Sequence, residues 1–306
     1  MSDQRYNFFN PNQVFDFVGS ESQQAHKRQA CCNEKCLRSL ISPCGQLIPF
    51  QINLKIARLL DYLYAVDICD VETGQTVLSF DSTSNFFDLA TVTETMGFGD
   101  VTQIVLTHLG LPDAAYELPV CRSYEIKFIL SYDDENGSGE IKLYSLFPFK
   151  VVESGCCLNK LSFYHCSDID NLIYAKLPSG KRFVQCLFLE KCKFSCQNTS
   201  TLTQVDDEFT GLPITTDVKI GQVITLKNPL LTYSPIKTIL SKIQGHSNVT
   251  LRTFEGDLFD VELQSITYRS DFETGRTDCF VAVDTITFGG CNNFNSDGCL
   301  AQNNLN

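Results

Sequence analysis

The sequence predicts an all-β protein built from two antiparallel β-sandwich-like modules, with an extended N-terminal arm and one short helix in the second module. Apolar and polar residues alternate over many short segments, and these segments are rich in Val, Ile, Thr and aromatic residues. Turn residues, including an Asn-Gly pair, separate the segments. We place the arm at 1–36, the first module at 37–152, the second at 153–288 and an irregular tail at 289–306.

The N-terminal segment is rich in Asn, Gln and Ser and also holds several aromatic residues. Such a composition is compatible with a disordered tail. The aromatic density also favours an arm that inserts into a neighbouring subunit. The candidate anchors of this interaction arm are Phe8, Phe9, Phe15 and Phe17.

Two β-hairpins are predicted in the first module. The run YLYAVDICDVETGQTVLSFD contains two β-rich stretches joined by a turn in which Gly74 can adopt a positive φ. EIKFILSY and EIKLYSLFPF both alternate, and the loop residues DDENGSG lie between them. The intervening SNFFDLATVTETMGFGDVTQIVLTHLGLPD has room for a short helix, but its Thr, Val and Ile content favours strand or loop.

The second module reads as successive strands with short turns at PSGKR, FEGD and FETGR. The short helix is predicted within TYSPIKTILSKIQGHSN. There Ile236, Ile239, Leu240 and Ile243 have helical spacing, a Ser-Pro pair marks the start and Gly245 the end.

The amino-acid composition limits the kinds of partner and the cellular compartment that we expect for this protein. The formal net charge of −12 and the lack of a basic stripe argue against a nucleic-acid binder. No stretch approaches 18 consecutive apolar residues, so we expect no membrane span. The first residues do not resemble a secretory signal, and 15 is an odd number of cysteines. We therefore expect assembly in a reducing cytoplasm, with most thiols buried and unpaired.

Two groups of cysteines are candidates for zinc binding or disulfide formation. They are Cys31, Cys32, Cys36 and Cys44, and the pair Cys192 and Cys196. Structural zinc sites usually consist of two separated pairs, whereas here the first two thiols are adjacent. Buried or half-buried free thiols are the favoured interpretation, with no metal and no cofactor.

No catalytic motif accompanies the histidines or carboxylates. His165 is adjacent to Cys166, but neighbouring residues of a strand point to opposite faces. The acidic groups Asp133-Asp134-Glu135 and Asp206-Asp207-Glu208 lie in loop contexts typical of solvated turns, and Asp168 and Asp170 lack an EF-hand pattern. The sequence has no GxSxG, P-loop, HExxH or dinucleotide fingerprint. We therefore predict no catalytic residue and a protein that is not an enzyme.

Several stretches resemble structural proteins of tailed phages that infect Bacteroidetes-type bacteria, including crAss-like phages. They are PCGQLIPFQI, YEIKFILSY with GEIKLYSLFPFKV, FYHCSDIDNLIYAKL and the late VTLRTFEGDLFDVELQSITY. The resemblance extends as a loose pattern over about residues 40–290 and includes no catalytic residue.

The resemblance implies a virion structural protein of the tail, hub or baseplate type, assembled in the host bacterial cytoplasm. Its partners would be copies of itself in a symmetric ring and other tail or portal-proximal proteins. A capsid or head-decoration protein of the same kind of particle is one alternative. A disulfide-containing cell-surface binding module and a cysteine-dependent or two-carboxylate hydrolase are the others.

Overall fold

The computed structural model describes residues 17–22, 40–96, 99–153, 158–165, 175–190, 193–206, 210–211, 213–227, 248–268 and 283–290. These residues form β-strands and a short 3₁₀ helix at Ala114–Tyr116, so the predicted all-β class is confirmed. The helix predicted around Ile236 to Gly245 lies outside the described residues.

The first half of the chain contributes ten strands to the described structure. They are β1 Phe17–Val18, β2 Leu40–Pro43, β3 Phe50–Ala57, β4 Leu59–Asp70, β5 Thr76–Asp81, β6 Phe87–Met96, β7 Gly99–His108, β8 Ser123–Asp134, β9 Gly137–Ser145 and β10 Phe149–Val152. Both hairpins predicted in this region form, as β4–β5 and β8–β9. The segment SNFFDLATVTETMGFGDVTQIVLTHLGLPD, for which strand or loop is predicted, contains the hairpin β6–β7.

Seven of these strands make one sheet, which we call sheet I. Strand β8 lies at its centre, with β4 and then β5 on one side. On its other side β8 pairs with β9 and with β10. Strand β9 pairs in turn with β1, and β10 pairs with β2. The ladder between β2 and β10 is parallel and departs from the predicted antiparallel pattern. Parallel pairing is possible here because more than a hundred residues separate the two strands, far more than a crossover requires.

The remaining strands of this half form sheet II, in the order β3-β7-β6. Aromatic rings connect the two sheets: Phe50 of β3 lies 5.6 Å from Phe17 of β1, and Phe87 of β6 lies 6.1 Å from Tyr64 of β4. The sheets therefore face each other across a shared apolar core, as in a β-sandwich.

The second half of the chain forms a seven-stranded sheet, sheet III. Its strands are β11 Leu158–Tyr164, β12 Gln185–Glu190, β13 Lys193–Asp206, β14 Pro213–Lys227, β15 Asn248–Arg252, β16 Leu258–Tyr268 and β17 Val283–Gly290. Their order is β12-β11-β15-β16-β17-β14-β13. Strand β16 pairs with β15 through Leu258 to Asp260 and with β17 from Val261 onward. One strand thus joins the two halves of the sheet.

Among the described strands, each ladder pairs strands on the same side of residues 153–157. The predicted division into two modules at this point stays a prediction, since one hydrophobic cluster contains buried residues from all three sheets. The predicted turn at PSGKR is present, with the Gly180 amide donating to the Leu177 carbonyl at 2.8 Å. The turn at FEGD joins β15 to β16, whereas FETGR lies outside the described residues.

Candidate interaction surface

Strand β6 is one of the two outer strands of sheet II, the other being β3, and it has an open edge. It pairs with β7 along its whole length, and no other described strand pairs with it. Its register is uninterrupted, and its sequence, FDLATVTETM, contains no Lys, no Pro and no bulge. These are the devices with which proteins usually block pairing at an edge strand. We call the unpaired side of Phe87–Met96 the β6 edge.

Exposed apolar side chains lie on β6 and on the nearby part of β4. Leu89 and Val92 of β6 are 37% and 40% exposed. Leu60 and Leu63 of β4 are 70% and 64% exposed, which is high for leucine. Leu89 and Val92 lie three residues apart on an uninterrupted strand, so their side chains point to opposite faces of sheet II.

The beginning of β4 has an open edge next to β6. Strand β5 pairs with β4 only from Ala65 to Cys69, so Leu59–Tyr64 has no described partner strand on that side. The Tyr62 hydroxyl lies 3.0 Å from the Thr91 hydroxyl and connects this part of β4 to the middle of β6. Two unpaired edges, one from each sheet, therefore lie on the same side of the sandwich.

A buried aromatic cluster anchors the start of β6. The Phe87 ring lies 6.1 Å from Phe50, 6.2 Å from Phe80 and 5.4 Å from the His108 imidazole. Such ring pairs add roughly 0.5–1.5 kcal/mol each beyond the area that they bury. The half-buried Phe87 thus packs the start of β6 against the core, while Thr91–Thr95 is exposed to solvent.

His108 is a structural part of this cluster. Its Nδ1 accepts a hydrogen bond from the Gly110 amide at 3.1 Å, and its Nε2 lies 2.8 Å from the Tyr116 hydroxyl. Because Nδ1 accepts, the proton of the neutral ring is on Nε2, which donates to Tyr116. Burial lowers the pKa of His108 to about 3 and raises the pKa of Tyr116 above its ordinary value. Both side chains are therefore neutral at physiological pH and stabilise the fold.

The acidic group Asp133-Asp134-Glu135 belongs to the β8–β9 turn. Asp133 and Glu135 are exposed, as predicted for a solvated turn, and Glu135 pairs with Arg58 at 2.8 Å. Asp134 differs from the prediction because it is buried, with its carboxylate accepting the Asn136 amide at 2.7 Å. These contacts assign structural roles to Asp134 and Glu135. Of the second acidic group only Asp206 is described, and Asp168 and Asp170 lie outside the described residues.

The described cysteines are free thiols. Cys44 is half-buried with its Sγ 3.5 Å from the Leu118 carbonyl, and Cys196 is exposed on β13. The other candidates, Cys31, Cys32, Cys36 and Cys192, lie outside the described residues, so their chemistry stays a prediction. Within the ranges that the structure describes, no three His, Cys, Asp or Glu side chains are grouped as a metal site would require.

One of the four predicted arm anchors is described. Phe17 forms β1 with Val18, pairs with β9 and contacts Phe50 of its own chain. Phe8, Phe9 and Phe15 lie outside the described residues, so their predicted contact with a neighbouring subunit stays a prediction.

Sequence reasoning did not identify the β6 edge or the exposed leucines of β4. A signal existed in FDLATVTETM, because this β-prone stretch carries no charge or proline near its centre. The exposure of Leu60 and Leu63 had no local signal, since both residues continue the apolar run of β3 after Arg58.

No known protein family matches the sequence, and no curated protein matches it. In the described part of the chain, no helix is long and apolar enough to cross a membrane.

Proposed function

We propose that this protein is a non-enzymatic structural component of a phage virion, a tail part that forms a ring or hub by self-association and docks to other tail proteins. The observation that carries the proposal is the unprotected β6 edge beside the exposed Leu60 and Leu63. A monomer that acts alone gains nothing from a long edge of this kind and is exposed to aggregation. A chain that assembles gains main-chain hydrogen bonds there.

The resemblance of the sequence to tail, hub and baseplate proteins supports the same proposal. Assembly requires a surface and no active site, because identical chains repeat one contact until a ring closes. The virion tail, assembled in the bacterial cytoplasm, is the proposed location. The neutral, fully hydrogen-bonded His108 is consistent with this role, since its ring contributes to packing.

The test is the mass of the native full-length protein, measured by light scattering with and without reductant and followed by negative-stain electron microscopy. We expect a discrete multimer that survives reductant and appears as a ring. A protein that is monomeric in both conditions up to its solubility limit would refute self-association. A monomer that unfolds on reduction would support the disulfide-stapled binding module.

A further inference from the structure

The chain enters the sandwich on the side opposite to the β6 edge. Strand β1 is an outer strand of sheet I, and β3 and β6 are the two outer strands of sheet II. The Phe17 ring lies 5.6 Å from the Phe50 ring, so β1 is next to β3. The Tyr62 hydroxyl lies 3.0 Å from the Thr91 hydroxyl, so β4 is next to β6. Residues 1–16, which precede β1 in the sequence, are therefore attached on the far side from the β6 edge.

The β6 edge sets a chemical requirement for any strand that pairs with it. Strand β6 carries Asp88 and Glu94 and no basic residue. The Thr91 side chain points toward sheet I, because its hydroxyl contacts Tyr62, so the even-numbered Asp88 and Glu94 point to the outer face. On the inner side, the exposed Leu60 lies on the open edge of β4. The matching strand therefore has basic or amide side chains on its outer face and apolar side chains on its inner face.

Residues 4–10 have this pattern. Their sequence is QRYNFFN, which contains no proline, no lysine and no acidic residue. The basic Arg5 and the asparagine two residues later alternate with Tyr6 and Phe8, so an extended chain places them on one face and the two aromatic rings on the other. Pro11 follows directly and has no N–H to donate, so strand pairing ends before it.

We infer that residues 4–10 of one copy add as a strand to the β6 edge of the next copy. Arg5 then lies on the outer face with the two β6 carboxylates, and the rings of Tyr6 and Phe8 pack between the open edges of β4 and β6. The inference rests on the proposed function, because it names the donor and the acceptor through which the copies associate.

A second copy of β6 is a poorer occupant of the edge. Pairing β6 with its own copy brings four carboxylates and no basic side chain to one ladder, where like charges destabilise. Residues 4–10 bring one positive charge and no negative charge to the same ladder. Charge complementarity therefore favours the N-terminal residues.

The length of the connection favours a neighbouring copy over the same chain. Residues 11–16 join the pairing stretch to β1, and six extended residues span roughly 20 Å at most. To reach its own β6, the chain has to pass around β3 and across the outer face of sheet II, because buried side chains fill the direct route. Two sheets lie about 10 Å apart, and two strand spacings of about 4.8 Å separate β3 from β6, so the backbone path alone takes up the whole connection. A neighbour whose β6 side faces β1 is reached without this detour.

The contact has consequences for the assembly. Donor and acceptor are on opposite sides of one chain, so the interface is heterologous and repeats until a ring closes. One added strand buries an area near the low end of specific interfaces, below roughly 1,200 Å² in total. An isolated pair is thus weak, whereas each copy in a closed ring makes two such contacts.

The experiment uses the full-length protein and two variants that each remove one surface. The donor is removed by deleting residues 2–10, which keeps β1. The acceptor is blocked by Val92→Lys, because a lysine on an edge strand opposes strand addition and repels Arg5. The matched control is Val77→Lys on β5, since Val77 is also 40% exposed and lies beside the other end of β4. Circular dichroism and thermal unfolding check the fold of each variant, and light scattering gives its mass.

We expect the wild type and Val77→Lys to form the same multimer, and the shortened chain and Val92→Lys to be monomers. Mixing the last two should give a one-to-one heterodimer and nothing larger, because one intact donor meets one intact acceptor. A shortened chain that assembles like the wild type shows that another surface is the donor, and an assembling Val92→Lys shows that another surface is the acceptor. Either result overturns this interface while self-association stands. Two folded monomers that do not pair on mixing overturn it as well, and a monomeric wild type overturns the proposed self-association and this inference together.

A second pair of variants tests the alternation of the added strand. Phe8→Ser and Phe9→Ser each remove one aromatic ring, and the two positions are adjacent in the sequence. Phe8 belongs to the inner face of the added strand and Phe9 to the outer face. We expect Phe8→Ser to weaken association about tenfold or more, as the loss of a buried aromatic anchor does, and Phe9→Ser to weaken it less than about threefold. Equal effects of the two substitutions would contradict pairing as a strand.

Discussion

The buried His108 makes the stability of the fold sensitive to acid. In the unfolded chain the imidazole has its ordinary pKa of 6.5, whereas in the folded chain burial lowers the pKa to about 3. Between these values the unfolded state binds a proton that the folded state does not bind. The stability from the neutral ring is therefore fully present above the ordinary pKa and is lost as the pH falls from 6.5 toward 3.

The size of this loss of folding stability follows from the same shift in the pKa of His108. Lowering the pH from 7 to 5 should cost the folded state about 2 kcal/mol through His108 alone. The assay is reversible urea denaturation at several pH values, followed by far-UV circular dichroism because the chain has no tryptophan. The comparison is His108→Gln, whose amide is an acceptor for the Gly110 amide and a donor for the Tyr116 hydroxyl.

His108→Gln should be less stable than the wild type at pH 7 but should lose about 2 kcal/mol less between pH 7 and pH 5. His165 also has a pKa lowered by burial, yet it is present in both proteins, so the difference isolates His108. Equal losses in the two proteins would refute the reasoning. If the variant does not fold, NMR titration of the wild-type histidine rings decides the question, and a His108 ring that protonates near pH 6 contradicts it.

Four further outcomes are expected. Gly110→Ala should destabilise the fold by roughly 2 kcal/mol or more, because the new Cβ would lie 2.5 Å from Pro49 at a φ of +66°. Gly74→Ala, at a φ of +67° with nothing within 4 Å, should cost only about 1 kcal/mol. Phe50→Ala should cost about 3–5 kcal/mol in the free energy of unfolding. In the native protein iodoacetamide should label the exposed Cys196 and leave the buried Cys186, whose pKa is raised to about 12, unmodified.

Each of these measurements has a control or a contradicting result. The thermal unfolding midpoints of Gly110→Ala and Gly74→Ala are compared with that of the wild type. Equal shifts in the two variants would mean that the close approach of the new Cβ to Pro49 does not affect stability. Leu258→Ala is the control for the core substitution, because a side chain that is 61% exposed should change stability by less than about 0.5 kcal/mol. Mass spectrometry of peptides from the labelled native protein locates the modified thiols, and early labelling of Cys186 would contradict its burial.

Local patterns predicted the hairpins well. The alternation in EIKFILSY appears in β8 as the buried Ile126, Phe128 and Leu130, with less buried residues between them. Gly74 has the positive φ expected for the β4–β5 turn, at 67°. Such features depend on neighbouring residues alone, so the sequence contains the information directly.

Pairing between distant segments was beyond local patterns. The parallel ladder of β2 with β10 depends on the positions of the two strands in the folded protein. Nothing in the sequence of Leu40–Pro43 indicates which strand it pairs with. The division of β16 between β15 and β17 is a second case, because its apolar residues look the same on either side of the change.

The candidate surface was the hardest part to predict. Leu60 and Leu63 follow a buried strand. Residue type alone does not distinguish an apolar side chain at the surface from one in the core. The difference arises because Arg58 adopts a positive φ of 54° between β3 and β4, and β5 covers only the later part of β4.

The position of β2 and β1 in sheet I sets an order of events during synthesis. Leu40–Pro43 pairs with Phe149–Val152, and Phe17–Val18 pairs with Tyr144 and Ser145, so neither strand has its partner until that part of the chain has left the ribosome. Contacts so far apart in sequence are costly to close and slow folding. The segments that precede β3 are therefore the last pieces of sheet I to be placed. After β9 and β10 have left the ribosome, their outer edges stay unpaired until β1 and β2 bind to them. During this interval, neighbouring chains on the same polysome can exchange β1 or β2 by domain swapping.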